Sequence, residues 1–314
     1  MVDIFIFTDA LVTSSILALL TIGLTLTYLT TRVPNFAHGS FAAVGIYIGL
    51  VVSQVYSLNM YLGIVPGFFF GGLVALAQCI LFLRPMTRRN ASITTLMVAT
   101  IAFDIFLVAV LNIFADYLQG LHVTARGFYL THLDFTFLGY KGLILVAPLM
   151  VIGVTVALYL LLNKTKFGIA MRATIENPPL AGTIGINTDL VYIASWFLAG
   201  GTAGMIGAVI PLWYIGNPDV GTNYFLISIF AAAVLGGVFN IYGAIIGAFI
   251  VGIASSVIID YLALSIGTWV IPYQPIIPLI AMIITLLIAP NGITGINFKE
   301  LKKRIRRDKN ASDS

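Results

Sequence analysis

One carboxylate, Asp104, sits near the middle of an apolar run at 93–115, and no Lys or Arg lies at comparable depth in the neighbouring runs. A carboxyl in that setting must face a cavity, find a partner or carry a proton. Two roles are open to it: a station on a solute or proton pathway, or a bundle-interior group hydrogen-bonded to Thr, Asn or water. The other reactive residues offer less. His38, His122 and His132 fall on different segments and different sides, which argues against a histidine metal cluster. No G-x-x-x-x-G-K-[ST] occurs, so a P-loop nucleotide site is excluded, and there is no H-E-x-x-H. Ser and Thr recur along the runs without a His or Lys at depth to activate one, against an intramembrane hydrolase. The lone cysteine, Cys79, lies in an apolar run, which leaves no intrachain disulfide and no thiolate metal cluster. These residues describe a conduit whose energy arrives from elsewhere.

The elements that must position them are membrane helices. Charged residues make up 9% of the chain against 60% hydrophobic, with a mean hydropathy of +1.04, whereas a soluble domain carries roughly 25% charged residues. The expectation is an all-α polytopic membrane protein. Crossing roughly 30 Å of hydrocarbon takes about 20 apolar residues. Candidate spans are 10–30, 37–57, 61–83, 93–115, 142–162, 190–212, 223–239, 241–263 and 273–290, about nine in all (eight to ten), the seventh being the shortest. The formal charge of +4 is carried by the tail at 299–314, where seven Lys/Arg face three acidic residues. It is therefore no argument for nucleic acid as a partner. The N-terminal MVDIFIFTDALV is acidic where a signal peptide is basic, so it is expected to be retained.

Positive charge sets the orientation. With the N-terminus outside and the C-terminus cytoplasmic, the inner loops hold Arg32; Arg84, Arg88 and Arg89; Lys164, Lys166 and Arg172; and the tail, leaving only Arg126 and Lys141 outside. This divides the chain into a transmembrane domain at 1–298, with an inner loop at 163–189 and an outer loop at 116–141, and a basic cytoplasmic tail at 299–314. The inner loop has a design of its own. Asn177 is a good N-cap, Pro178 suits the first helical position, and Leu180, Ala181 and Ile184 share one apolar face of a short helix at 178–186 that Gly185 stops. Such a helix rests on headgroups or packs on a partner. The outer loop reads as a hairpin over the outer mouth or as an interfacial aromatic belt. From Asn223 the apolar run breaks at Gly236-Gly237, which fits either a discontinuous helix or a tight turn between two spans. Glycines four apart (Gly45/Gly49, Gly63/Gly67/Gly71, Gly200/Gly204, Gly243/Gly247) predict a tightly packed bundle, and the residues show no convincing internal repeat.

Three segments resemble the permeases of high-affinity branched-chain amino acid ABC importers. GLTLTYLTTRVPNFAHGSFAAVGIYIG contains Asn35, Phe36, Ala37, His38 and Gly39, similar to the family's N-terminal signature. Arg172-Ala173, followed by Asn177, Ala181 and Gly185-Ile186-Asn187, resembles its cytoplasmic coupling loop. LGGVFNIYGAIIGAFIVG, with Gly236, Gly237, Gly243 and Gly247, resembles its late glycine-rich motif. The two signatures are candidate gate positions, although Asn35 also suits a helix cap and His38 a place among headgroups. Asp104 stands where the family pattern has an uncharged residue, and the outer loop has no match, so the solute stays open among small amino acids and other small polar solutes. The resemblance implies a plasma-membrane complex: a second homologous permease, two ABC ATPase subunits, an extracytoplasmic solute-binding protein and surrounding membrane lipid. ATP would be bound by the partner subunits, with no cofactor and no catalysis on this chain. The 178–186 helix would seat in an ATPase groove, steadied by Arg172. Two other functions fit the residues, an ion-coupled secondary transporter of a small polar solute using Asp104 and an assembly subunit without a pathway.

Overall fold

The computed structural model describes residues 2–295, so the tail read at 299–314 lies outside the described residues. In chain order they form α1 (Val2–Thr31), α2 (His38–Leu50, prolonged by a π turn at Val51–Val55), α3 (Ile64–Ala77), α4 (Arg84–Arg88) and α5 (Ile93–Gly120). A π stretch at Gln78–Leu83 joins α3 to α4 without a break. A hairpin of two-residue strands, β1 (Thr136–Phe137) and β2 (Tyr140–Lys141), precedes α6 (Leu143–Lys164), α7 (Lys166–Glu176), α8 (Pro178–Thr183) and α9 (Thr188–Gly207). The chain closes with α10 (Leu226–Gly236), α11 (Ile241–Ile266) and α12 (Ile276–Ile288). Side-chain caps start several of these: Ser92 accepts from Thr95 N at 3.2 Å, Asn187 from Leu190 N at 3.1 Å and Asn240 from Tyr242 N at 3.0 Å.

Eight helical stretches among the described residues are long and apolar enough to cross a membrane, and the protein is a polytopic all-α membrane protein. The ninth expected span, 223–239, is a shorter apolar helix, Gly221–Gly236. It rises roughly 24 Å at 1.5 Å per residue, short of a full crossing. Gly237, at φ +102°, ends it in a conformation that L side chains rarely adopt, and α11 begins at once behind Asn240. The glycine break is thus a tight turn between two helices, and the shortness lies at the other end of α10.

The described Lys and Arg sort onto two faces. Arg84, Arg88 and Asp189 share a cavity with Thr30 and Thr31 at the end of α1, and Arg32 stacks on Phe239 at 4.6 Å. Lys164, Lys166 and Arg172 belong to the α6–α7 turn on the same basic face. Arg126 and Lys141 lie at the opposite face. There the hairpin is small, and most of the outer segment is irregular backbone paired with a second loop, Phe128 N to Gly216 O at 3.4 Å. Tyr129, Phe135, Phe137 and Tyr140 stand exposed on it. Both readings of that loop therefore have a physical counterpart, a short hairpin carrying an aromatic fringe.

A two-fold pattern that residue identities do not display is clear in the packing. The most extensive helix pairings are α3 along α9 and α1 along α11. Each pair runs antiparallel, and α1 and α3 run toward the basic face while α9 and α11 run away from it. The same glycines that recur in the sequence make the α2–α3–α9 contact, the Gly204 carbonyl facing both Gly45 and Gly67. Helix α2 packs on the α3/α9 pair and α10 on the α11/α1 pair, so the two occupy matching positions in the two halves.

Candidate functional site

The segment Arg32–Ala37 does not run along the surface. It turns back into the bundle, and His38 Nε2 donates to the Leu20 carbonyl at 2.8 Å. Leu20 lies eleven residues before the end of α1, roughly 16 Å up from the basic face. Helix α2 therefore begins at half depth. His38 is fully buried, with Phe41 at its edge, and is not among headgroups. Arg32 stays exposed at the basic face, but Asn35, whose polarity imitates a surface loop, is fully buried. Asn35 Oδ1 closes a turn on Ala37 N at 3.1 Å and accepts from Gln78 Nε2 at 3.1 Å, while Ala37 is buried against α1 and α2 neighbours. Asn35 organises the turn before the helix; α2 itself has no side-chain cap.

The second short helix starts at the same depth. Trp213 Nε1 donates to Asp9 at 2.7 Å and Tyr214 meets Thr13 at 2.5 Å, fixing the loop after α9 at the outer end of α1. The chain then descends, and a π turn at Gly221–Phe225 opens α10 against the first turn of α2. Gly39 and Gly221 touch backbone to backbone: a Cβ built on Gly221 would lie 1.9 Å from the Gly39 carbonyl oxygen.

Asp104 closes this crossing. It is 6% exposed, eleven residues into α5, and so also roughly 16 Å from the basic face. Its Oδ1 accepts from Ser40 Oγ and from Thr222 Oγ1, the latter at 3.0 Å, and Oδ2 lies 3.1 Å from the same Thr222 hydroxyl. Among the described residues no cationic side chain pairs with it. Its two hydroxyl donors stand in the first turns of α2 and of the Gly221–Gly236 helix, and at the start of the latter the Asp219 carbonyl accepts from Thr222 N at 3.1 Å and Asn223 N at 2.9 Å. Gly221, Ser40 and Thr222 were not singled out by sequence reasoning. The available signal was a glycine followed by a hydroxyl residue at the start of two apolar runs, Gly39-Ser40 and Gly221-Thr222.

The basic face carries the second group. Asn163–Asp189 is two helices, where the residues suggested one. Helix α7 is amphipathic and buries Gly168, Met171 and Thr174 against α6, α1 and α9. Arg172 Nη1 donates to the Leu162 carbonyl at 2.5 Å and to Asn163 Oδ1 at 3.1 Å, capping the end of α6. Ala173 is half-buried and its carbonyl accepts from Asn177 N at 3.0 Å. Asn177 Oδ1 accepts from Leu180 N at 3.1 Å and Pro178 starts α8, which ends at Thr183 and not at 186. Gly185, at φ +86°, turns the chain, Ile186 N closes it on the Ala181 carbonyl at 3.0 Å, and Asn187 caps α9. The three apolar residues do not share one covered face. Ala181 is 2% exposed, whereas Leu180 is 59% and Ile184 69% exposed. Behind this loop, Asp189 bridges Arg84 and, at 3.3 Å, Arg88, tying the base of α9 to α4.

The late glycines lie apart from the midplane crossing. Gly236 packs on Gly243, and Gly247 on the Ala232 carbonyl; with Gly237 they form the α10–α11 turn, where Thr294 Oγ1 donates to Gly236 O at 2.8 Å. The two candidate gate signatures are therefore on different levels, one at half depth and one at the basic face.

Known proteins with this sequence pattern are transport permeases. A family model described as the permease component of the branched-chain amino acid transport system matches residues 6–286. A probable branched-chain amino acid transport permease protein, LivH, of Methanocaldococcus jannaschii is 45% identical over 295 residues, 94% of this chain and 93% of that one. The LivH permease of Escherichia coli K12 is 26% identical, covering 88% and 91%. Among solved structures, PsaBC from Streptococcus pneumoniae in complex with Fab aligns over 91% of this chain and 92% of its own, with a TM-score of 0.50 at 13% identity, a likeness of fold alone.

Proposed function

This chain belongs to the branched-chain amino acid transport permease family, and we propose that it is the membrane-spanning subunit of an ATP-driven importer of branched-chain or related small amino acids. It is a multi-pass protein of the plasma membrane. Its partners in this reading are a second homologous permease, two ABC ATPase subunits and an extracytoplasmic solute-binding protein. ATP is bound by the ATPases, and this chain needs no cofactor. The basic face is cytoplasmic, by the bias of positive residues toward the inner side, which puts the N-terminus outside and the C-terminus inside.

One observation supports the coupling role: α8 and its C-cap residue hold Leu180 and Ile184 four residues apart and uncovered on that face. A short helix presenting apolar residues at i and i+4 is the shape that seats in a partner's groove. Motion imposed on α8 passes to α7 and α9, and from the foot of α9 to α4 through Arg84 and Asp189. Further along, α9 packs on α2, whose first turn is half of the midplane crossing. Nucleotide-driven closure of the ATPases then biases the bundle between outward- and inward-open arrangements.

Reconstitution of the four kinds of subunit in liposomes tests the reading. Leucine uptake should require internal ATP and persist when the proton gradient is collapsed; uptake driven by the gradient without ATP would show an ion-coupled carrier instead. Orientation has its own check. In a Cys79→Ser background, Thr124→Cys should react with an impermeant maleimide in intact cells, and Lys166→Cys only after permeabilisation. The opposite pattern would invert the topology and remove α8 from the cytoplasm.

A further inference from the structure

Three arginines meet on one flank of the basic face. Arg84, Arg88 and Arg89 line a groove of ≈ 320 Å³ together with Pro85 and Ile80. We propose that this groove binds the phosphate of an anionic phospholipid of the inner leaflet, and that the bound lipid anchors α4 where it meets the foot of α9. The binding does not rest on the import reading; only the choice of leaflet follows from the orientation given above.

Charge selects the headgroup. Arg84 and Arg88 share one carboxylate, Asp189, and Arg89 forms no ion pair among the described residues. Three guanidiniums against one carboxylate leave two positive charges uncompensated. Asp189 meets the arginines from the separate cavity beside α1 and does not line the groove. The Arg84 side chain is 20% exposed and stays on Asp189, whereas that of Arg88 is 73% exposed and only 3.3 Å from it. Arg88 and Arg89 therefore present planar donor forks outward, the geometry that suits a phosphate. Position selects a lipid. Ile80 lies four residues before Arg84 on a helix running toward the basic face, and Ile80, Leu81 and Phe82 are all exposed within the span Met60–Arg88. The groove thus leads from a charged rim into hydrocarbon, and its occupant needs a phosphate at one end and an acyl chain at the other. An acidic soluble protein meets only the rim. A second permease fits poorly as well, because close helix packing in lipid uses small residues. Helix α3 turns its small residues, Gly67 and Gly71, onto α9, and leaves Phe69, Phe70 and Leu73 uncovered. A lipid on Arg88 and Arg89 leaves the Arg84–Asp189 bridge in place and ties α4 to the leaflet. Helix α4 is then the stationary side of the joint at which α9 follows α8.

The test is displacement of a tail-labelled fluorescent phosphatidylglycerol from the assembled permease–ATPase complex in detergent. Competitors are unlabelled phosphatidylglycerol, phosphatidylcholine and inorganic phosphate. Each arginine near an anionic headgroup is worth about fivefold in binding, so Arg88→Gln with Arg89→Gln should weaken phosphatidylglycerol roughly 25-fold. In the wild type phosphatidylglycerol should compete at least about tenfold better than the zwitterionic phosphatidylcholine, and inorganic phosphate, having no chain for Ile80, should not compete. Lys164→Gln with Lys166→Gln removes two cations of the same face outside the groove and should leave phosphatidylglycerol binding unchanged. An equal loss from the lysine pair would show diffuse attraction to the whole face and overturn the site. So would phosphatidylcholine competing as well as phosphatidylglycerol, a result read on the wild type alone. Displacement by inorganic phosphate would make it a soluble-anion site, and phosphatidylglycerol released from the permease when the ATPases are added would make it a protein contact; either defeats the proposal. Absence of ATP-driven leucine uptake by the complete system would defeat the import reading and leave these results standing.

Discussion

Replacing Gly221 with alanine is expected to abolish uptake and to destabilise the permease by more than about 3 kcal/mol, beyond the usual range for overpacking. The added methyl would lie 1.9 Å from the Gly39 carbonyl oxygen and 2.3 Å from its carbon. Favourable contacts of this kind need about 3.3–3.6 Å, so the two helix starts must part by well over an ångström. Neither neighbour is a side chain that can rotate away. Separation at that point also breaks the bonds from Ser40 and Thr222 to Asp104, leaving a buried carboxylate without donors. Gly39→Ala meets the mirror-image obstacle, with Gly221 O at 2.2 Å. The control is Gly153→Ala in α6, where nothing lies within 4 Å of the new methyl and helix propensity favours alanine by about 1 kcal/mol. Melting of the detergent-solubilised protein and uptake in liposomes would be read together. If Gly221→Ala melts and transports like the wild type, the two short helices do not meet at half depth.

How much of this was legible beforehand depends on what hydropathy can measure. Length and apolarity place most spans within a few residues, and Asn177, Asn187 and Asn240 announce helix starts through their side chains because capping is local. Depth is not local. Asn35 and His38 look like residues of a headgroup loop because polarity in a sequence is silent on whether water or Gln78 satisfies it. The same limit hid α7, whose Lys166, Arg172 and Glu176 stand exposed while Gly168, Met171 and Thr174 do the packing. Leu180, Ala181 and Ile184 were legible as apolar neighbours, but a single chain cannot say which neighbour a second protein covers. The two-fold pattern of helix pairs was invisible for a different reason. Close helix packing in lipid demands small residues, not particular ones, so two halves can keep the same contacts while sharing few identities.

The exposed pair on α8 and its C-cap, Leu180 and Ile184, gives the other large effect. Leu180→Ser with Ile184→Ser should leave the permease folded and sever it from its motor. Both side chains are more than half exposed, at 59% and 69%, and surface substitutions of that kind shift stability by only about 0.5 kcal/mol. Burying each in a partner's groove is worth about 1–2 kcal/mol, a fraction of the value for complete burial of Leu or Ile. Together they supply about 2–4 kcal/mol of docking, so their loss weakens ATPase binding by roughly 30- to 700-fold at about 1.4 kcal/mol per decade. The choice of residues matters. Ala181→Asp would place a carboxylate at a position only 2% exposed, and a loss of uptake there would report damage to the fold as readily as loss of coupling. With the serine pair the two outcomes come apart: an unchanged melting temperature, ATPases lost on purification, and no ATP-driven uptake. Should the ATPases still co-purify in full and uptake persist, α8 is a resting surface helix, and the drive must enter the bundle elsewhere.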